Sequence, residues 1–308
     1  MGSHRLPRFR RSSNTALIQL TERDQEIIRL VNRNRFLRSS HITALVAGSP
    51  QQLVRRLQLL YHHGFLERPR AQIDYYHKGG SRSIVYGLGN KGAKVLKLEL
   101  GSSSYRVRWA EKNRSVGRIF LEHALLVSDV MVTIELACRE SGRIRLLRDD
   151  ELLPQDDTST KQRSFKWNVN VGKGLKLGLV PDGVFALNFE DNDDATHPAF
   201  FFLEADRGTM PVMRRTLSQT SFYRKLLAYE ATWSQSIHRT RFGFHRFRVL
   251  TVTTSPERVK SLIDACSKLE HGHGLFLFTD RASLEKSGAI FSPIWQTPNQ
   301  GGTVSLFD

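Results

Sequence analysis

Three carboxylates stand at the ends of two apolar segments, and their types and spacing suit chemistry on a phosphate. Asp182 follows Pro181 in LVPDGVFALNF, and Glu204 and Asp206 end AFFFLEAD. Side chains two positions apart in a β-strand share a face, so Glu204 and Asp206 are predicted to point the same way. If the two segments pair as antiparallel strands, the three carboxylates converge at one edge of a sheet. There they would suit Mg²⁺ or Mn²⁺ and the activation of water.

The same carboxylates have a second interpretation that involves no metal. Carboxylates placed close together raise each other's free energy unless a cation or a base neutralises them. Arg207, Arg214 and Arg215 follow directly in the sequence and offer an acid–arginine network. From the residues alone, a catalytic metal site and a non-cleaving scaffold therefore both remain open.

The positive charge of the chain is concentrated in its first third. The sequence has 46 Lys and Arg against 30 Asp and Glu, a net charge of +16, and residues 1–114 hold 22 of the basic and 7 of the acidic residues. Such a field attracts polyanions, because neutralised phosphates release their counterions. We therefore expect double-stranded DNA as the partner. We also expect a flexible basic arm over residues 1–20, with DNA contacts from Arg8, Arg10 and Arg11.

Two further patterns bear on location and redox chemistry. No apolar run approaches the roughly 20 residues that span a bilayer, and MGSHRLPRFRR lacks the apolar core of a signal peptide, so we expect a cytoplasmic protein without membrane contact. Cys138 and Cys266 are the only cysteines and stand far apart in the sequence. Neither a disulfide framework nor a cysteine zinc site is expected.

Residues 21–100 are predicted to form three helices followed by a β-hairpin. Thr21 and Asp24 have the spacing of a capping box before an apolar stripe, and Ser49 with Pro50 marks the start of the third helix. The segments LERPRAQIDYY and SIVYGLG flank a turn and are rich in β-branched and aromatic residues. In order and spacing, this region resembles the winged helix-turn-helix family.

The winged-helix resemblance implies how the region would meet DNA. The third helix would lie in the major groove and the hairpin tip would touch the backbone or the minor groove. Gln pairs with adenine and Arg with guanine, and the groove-facing candidates are Gln51, Gln52, Arg55 and Arg56. At the hairpin tip the candidates are Lys78 and Arg82. Such proteins often bind paired half-sites as homodimers. The alternative is a protein–protein adaptor whose basic arm binds an acidic partner.

After a linker at residues 101–115, residues 116–308 are predicted to form a mixed α/β domain with a central mixed sheet. A long apolar helix from about Val116 to Glu140 precedes three strands, a helix, a strand, a helix and a strand. The order of an apolar helix, Pro-Asp on one strand and an acidic motif on the next resembles the restriction-endonuclease-like PD-(D/E)xK nuclease superfamily.

The nuclease resemblance assigns Asp182 and Glu204 as the two acids and implies Mg²⁺ or Mn²⁺ as the cofactor. The family pattern has Lys where this sequence has Asp206. A Lys displaced onto the following helix is a known variation of that pattern, and Lys225 takes this place, with Tyr229 one turn later on the same face. Whether the domain is an enzyme therefore stays open.

Four segments together support a narrower resemblance. YGLGNKGAKVL, PDGVFAL, FFLEADRGT and RKLLAYEA, read with the winged helix, resemble the replication-relaxation family of plasmids and integrative conjugative elements over roughly residues 21–279. The resemblance implies a DNA-binding accessory protein in replication, copy control or DNA transfer, and it implies no named reaction. The alternatives are a metal-dependent DNA endonuclease or nickase targeted by the winged helix, and the protein–protein adaptor.

Overall fold

The chain divides into two compact units. The computed structural model describes residues 7–12, 17–73, 83–100, 109–152, 165–172, 174–189, 198–287 and 290–307. The first unit is Met1–Val132 and the second is Thr133–Asp308. The division falls within the long helix that the sequence predicted, C-terminal to the linker predicted at residues 101–115.

The first unit is mainly helical with a small antiparallel sheet. Its elements are α1 Glu22–Asn34, β1 Phe36–Arg38, α2 Ser39–Leu45, α3 Pro50–His62, β2 Leu66–Glu67, β3 Val85–Leu88, α4 Asn90–Leu100 and α5 Trp109–Arg114, and the first part of α6 Arg118–Ser141. The strands lie in the order β1-β3-β2, and both neighbouring pairs are antiparallel. A single 3₁₀ turn, Arg70–Gln72, follows β2.

The start of α1 confirms the predicted capping box. The Thr21 hydroxyl accepts from the Asp24 backbone N–H at 3.3 Å, and the Asp24 carboxylate accepts from the Thr21 backbone N–H at 2.8 Å. These two bonds satisfy N–H groups that have no partner inside the helix. Ile27, Ile28 and Val31 are buried along one face of α1, so the apolar stripe forms part of the core.

The bounds of α2 and α3 test the other helix signals. Helix α3 begins at Pro50 as predicted and ends before Gly64, whose φ of 84° lies in the left-handed region that favours glycine. The segment RSSHITALVAG predicts a serine N-cap near Ser39 or Ser40 for α2, and this prediction is wrong. Strand β1 leads directly into α2, so Ser39 is already the first helical residue and Arg38 takes the N-cap position.

The second unit is built around a seven-stranded mixed sheet. After α6 its elements are β4 Ile144–Arg148, α7 Asp149–Leu152, β5 Trp167–Val171, β6 Leu175–Leu179, β7 Gly183–Phe189, β8 Ala199–Ala205, α8 Phe222–Ser234, α9 Ile237–Thr240, β9 Phe247–Thr253, α10 Pro256–Cys266, β10 Phe276–Asp280, α11 Arg281–Ser287, β11 Trp295–Thr297 and β12 Gln300–Val304. The sheet order is β12-β11-β10-β9-β8-β7-β4, and β5 and β6 form a separate hairpin.

The central strands follow the predicted mixed α/β class. Strands β8, β9 and β10 are parallel, whereas β7 is antiparallel to both β4 and β8. The predicted antiparallel pairing of the Asp182 and Glu204 segments is therefore confirmed, with Gly183 opposite Leu203. Strands β11 and β12 were not predicted. The segment RTLSQTSFYRKLLAYEATW predicts a helix from Arg215, but α8 begins at Phe222. The preceding Ser and Thr residues bond locally instead, as between Thr216 and Ser218 at 2.9 Å.

An aromatic core lies between the sheet and helices α8 and α10. Phe202 from β8 packs against Trp167 and Tyr229, with ring centroids 5.3 and 5.6 Å apart. Both cysteines are free and buried, and burial raises the pKa of Cys138 to about 11 and that of Cys266 to about 12. Within the described residues, no helix has the length and apolarity needed to cross a membrane.

Candidate functional site

Glu204 lies near the end of β8 on the same face as Phe202 and is almost completely buried. Its relative exposure is 1%, and the three residues that precede it in β8 are the apolar Phe201, Phe202 and Leu203. A buried carboxylate is costly unless hydrogen bonds or a cation compensate for its lost hydration. The groups that contact Glu204 therefore decide what this position can do.

Helix α8 supplies two of those groups. Lys225 and Tyr229 are four residues apart, so they lie on one face of the helix. Lys225 Nζ donates to Glu204 Oε2, and the Tyr229 hydroxyl donates to Glu204 Oε1 at 2.6 Å. Each carboxylate oxygen thus receives one charge-assisted hydrogen bond. The structure brings together three of the five residues that the sequence assigned to this site.

Asp182 lies beside this group, immediately before β7. Its backbone N–H donates to the Leu203 carbonyl, and its Oδ2 accepts from the Ala205 backbone N–H, both at 2.9 Å. These bonds attach Asp182 to the β8 backbone at the residues immediately before and after Glu204. Asp182 is half-buried, and its charge acts on both Glu204 and Lys225.

The charges of the cluster determine its protonation. Burial raises the pKa of Glu204 to about 7, with Asp182 adding to the rise and Lys225 opposing it. Burial lowers the pKa of Lys225, but the charges of Glu204 and Asp182 outweigh it and leave that pKa above its ordinary value. Burial and the adjacent Glu204 raise the pKa of Tyr229 well above its ordinary value. At neutral pH Lys225 is therefore charged, Tyr229 is neutral and Glu204 titrates.

Asp206 is bound by a different set of groups. Its Oδ2 accepts from Thr253 Oγ1 and from Arg258 Nε, each at 2.8 Å, and its Oδ1 accepts from Arg258 Nη2 at 3.2 Å. Arg258 Nη2 also donates to the Met210 carbonyl at 2.6 Å. The expected arginine partner is thus present, but it is Arg258 on α10 rather than the neighbouring arginines named from the sequence.

These contacts do not fit the expected three-carboxylate metal site. Both oxygens of Glu204 are engaged by α8, and both oxygens of Asp206 are engaged by a bidentate arginine. Among the described residues, no group of three or more His, Cys, Asp or Glu side chains is arranged to hold a metal ion. The arrangement is instead a buried ionic cluster next to a separate acid–arginine pair.

In the first unit, α3 presents a polar face to solvent. Gln51, Gln52 and Arg55 are exposed, while Leu53 and Leu57 on the other side are buried. This face carries three of the four residues that the sequence assigned to the major groove. The donors and acceptors on it are free to reach an extended ligand.

Arg56 has a structural role in the first unit. Its Nε donates to Asp24 Oδ1 at 2.7 Å, and its Nη2 donates to the Gln19 carbonyl at 2.6 Å. Burial acts to raise the pKa of Asp24, but hydrogen bonds from Arg56 and Thr21 outweigh it and leave that pKa below its ordinary value. Arg56 therefore joins α3 to the start of α1 rather than extending from the exposed face.

The basic arm also contributes to the interior of the first unit. Arg11 donates to Glu67 at 2.9 Å and to the Tyr61 carbonyl at 3.0 Å. The Arg8 carbonyl accepts a hydrogen bond from Arg68. Arg10 is exposed. The predicted hairpin-tip contacts, Lys78 and Arg82, lie outside the described residues.

Sequence comparison places the chain in a family. A family model described as replication-relaxation matches residues 28–245, which covers most of both units. The chain belongs to the replication-relaxation family. Neither the search of curated proteins nor the search of solved structures returned a match. Membership of the replication-relaxation family indicates a role in the replication or transfer of a plasmid or other mobile element.

Proposed function

We propose that this replication-relaxation protein is a DNA-binding accessory or regulatory protein that reads duplex DNA with α3 of its first unit. The observation that carries the proposal is the exposed face of Gln51, Gln52 and Arg55 on a helix whose other face is buried. These side-chain types form bidentate pairs with adenine and guanine in the major groove.

Two further features support the proposal. The element order α1-β1-α2-α3-β2-β3 is the order expected of a winged helix-turn-helix domain, in which the third helix enters the major groove. Residues 1–114 also hold 22 basic against 7 acidic residues. Arg11 and Arg56 are ion-paired with Glu67 and Asp24, so the positive field arises from the basic residues in excess of the acidic ones.

Replacing Arg55 by alanine is expected to weaken binding to the preferred site by about 1–3 kcal/mol, because one base contact is lost. Titration of a fluorescent duplex, selected from a random library with the wild-type protein, measures this change. Arg143→Ala is the matched control, since it removes an exposed arginine from the second unit. If Arg55→Ala bound the selected site as tightly as Arg143→Ala does, and random duplex as tightly too, base reading by α3 would be contradicted.

We further propose that the second unit is a nuclease-like scaffold that does not cleave DNA. The buried Glu204–Lys225–Tyr229 cluster and the Asp206–Arg258 pair support this, because each neutralises its carboxylate within the protein. The role of the second unit would then be recruitment or regulation. Nicking by this unit would instead make the protein a targeted endonuclease.

Supercoiled plasmid mixed with the protein and Mn²⁺ is expected to shift in mobility without being nicked. A gel that resolves supercoiled, nicked and shifted DNA measures both properties at once. Glu204→Ala serves as the control, and the amount of nicked circle should be the same with the variant and the wild type. Mn²⁺-dependent nicking that is lost in the variant would overturn the scaffold proposal in favour of the endonuclease.

A further inference from the structure

The segment that runs from the end of β8 into α8 is rich in basic residues. Residues 207–229 contain five basic residues and no acidic residue. The second unit as a whole has 23 basic and 21 acidic residues, so its other residues together carry 18 basic against 21 acidic. A local excess of this kind creates a positive patch on a nearly neutral body.

The first part of this segment, residues 207–221, forms a loop that we call the arginine loop, and its base is held by backbone bonds. The Pro211 and Val212 carbonyls accept from the Phe222 and Tyr223 backbone N–H groups, both at 2.9 Å. The Met210 carbonyl accepts from Arg258, as described above. These bonds fix the point at which the arginine loop leaves the unit.

The tip of the arginine loop is also tied back to the helices. Arg224 Nη1 on α8 donates to the Ser218 carbonyl at 2.7 Å, and Lys268 Nζ lies 3.2 Å from Met213 Sδ. Compact loops whose ends lie close together and whose own groups bond within them are frequently functional. The arginine loop therefore presents its side chains from a defined position.

Two arginines at the tip of the arginine loop face solvent. Arg214 and Arg215 are exposed, and within the described part of the chain neither forms an ion pair or a hydrogen bond. Most other arginines of the second unit that the structure describes have such partners, as Arg258 and Arg148 do. Adjacent exposed guanidinium groups on an anchored loop are suited to the phosphates of a polyanion.

Resting on the function proposed above, we infer that the arginine loop is a second DNA contact, which binds the phosphate backbone of duplex DNA without reading its sequence. Two N–H groups at the N-terminus of α8, those of Phe222 and Tyr223, already donate to the loop's own carbonyls. We therefore assign the attraction to the side chains of Arg214 and Arg215. The second unit then adds affinity while α3 adds selectivity.

The test compares the salt dependence of DNA binding by the full chain and by Arg214→Ala/Arg215→Ala. Each phosphate contact contributes about 0.9 to the slope of log affinity against log salt, so losing two contacts lowers the slope by about 2. Between 50 and 200 mM salt the variant should therefore lose roughly tenfold less affinity than the wild type. The effect should be the same on the selected duplex and on random duplex.

Arg143→Ala/Arg145→Ala is the matched control, since it removes two exposed arginines at and before β4. A slope for the loop variant equal to that of this control would overturn the inference, while Arg55→Ala in the same assay would still report on α3. Absence of DNA binding by the wild type would instead overturn the proposed function itself. Thermal unfolding of each variant checks that the loop substitutions leave the fold intact.

Discussion

We expect the replacement of Arg258 by alanine to lower the free energy of unfolding of the second unit by about 3 kcal/mol, because a buried carboxylate then loses its cation. The Asp206 side chain is 4% exposed and that of Arg258 is 16% exposed. The variant removes both Arg258 hydrogen bonds to Asp206 and the bond to the Met210 carbonyl. Among the described residues, Thr253 and the Gly208 N–H remain as neutral donors to Asp206 and cannot neutralise its charge.

Urea denaturation followed by tryptophan fluorescence measures this loss. Three of the four tryptophans, Trp167, Trp233 and Trp295, belong to the second unit and report its unfolding. Arg281→Ala is the matched control, because Arg281 forms an exposed ion pair with Glu285 that is worth roughly 0.5 kcal/mol at most. If both variants lost the same stability, the assignment of Asp206 to a buried structural pair would be wrong.

Replacing Lys225 by methionine makes the stability of the second unit fall more steeply as pH rises from 5 to 8.5. The folded-state pKa of Glu204, about 7, exceeds its ordinary value of 4.5, so the folded state binds this proton more tightly than the unfolded state. The stability that protonation of Glu204 contributes to the folded state is therefore fully present below pH 4.5 and is lost as pH rises through 7. In the wild type this loss amounts to about 3 kcal/mol. Without the charge of Lys225, the pKa of Glu204 rises further and the loss grows.

Unfolding free energies at pH 5, 7 and 8.5 measure this effect in wild type and variants. Lys225 itself adds no slope in this window, because its pKa is raised above 10.5 and its contribution is lost only at higher pH. Glu204→Gln should remove most of the slope between pH 5 and 7. At pH 8.5 the double variant Glu204→Gln/Lys225→Met should be more stable than Lys225→Met alone. A pH profile of Lys225→Met that matches the wild type would contradict a Glu204–Lys225 pair.

Local signals in the sequence predict much of what positions the cluster. A capping box and an N1 proline require only residues a few positions apart, so the starts of α1 and α3 follow from Thr21 and Pro50. The antiparallel pairing of β7 with β8 follows from two apolar segments joined by a polar turn. The four-residue spacing of Lys225 and Tyr229 then places both on the face of α8 that meets Glu204.

Long-range partners could not be predicted in the same way. Asp206 and Arg258 are 52 residues apart, and no period or motif relates them, so the nearer arginines were the natural expectation. In the sequence, Arg56 has the position of an exposed helix residue. Its partner, the buried carboxylate of Asp24, lies on a different helix and also forms the capping box of that helix, so nothing local relates the two residues. Which cation neutralises a buried acid depends on tertiary packing, and this packing has no local signature.

The two buried cysteines allow transient opening of the second unit to be measured by chemical labelling of the wild-type protein. Cys138 and Cys266 are its only two cysteines, and both belong to the second unit. Only a thiolate reacts quickly with an alkylating dye, and the raised pKa values keep both thiols protonated at neutral pH. The labelling rate of native protein therefore measures how often the second unit opens without denaturant. DNA that binds the folded second unit should slow this labelling in proportion to its affinity.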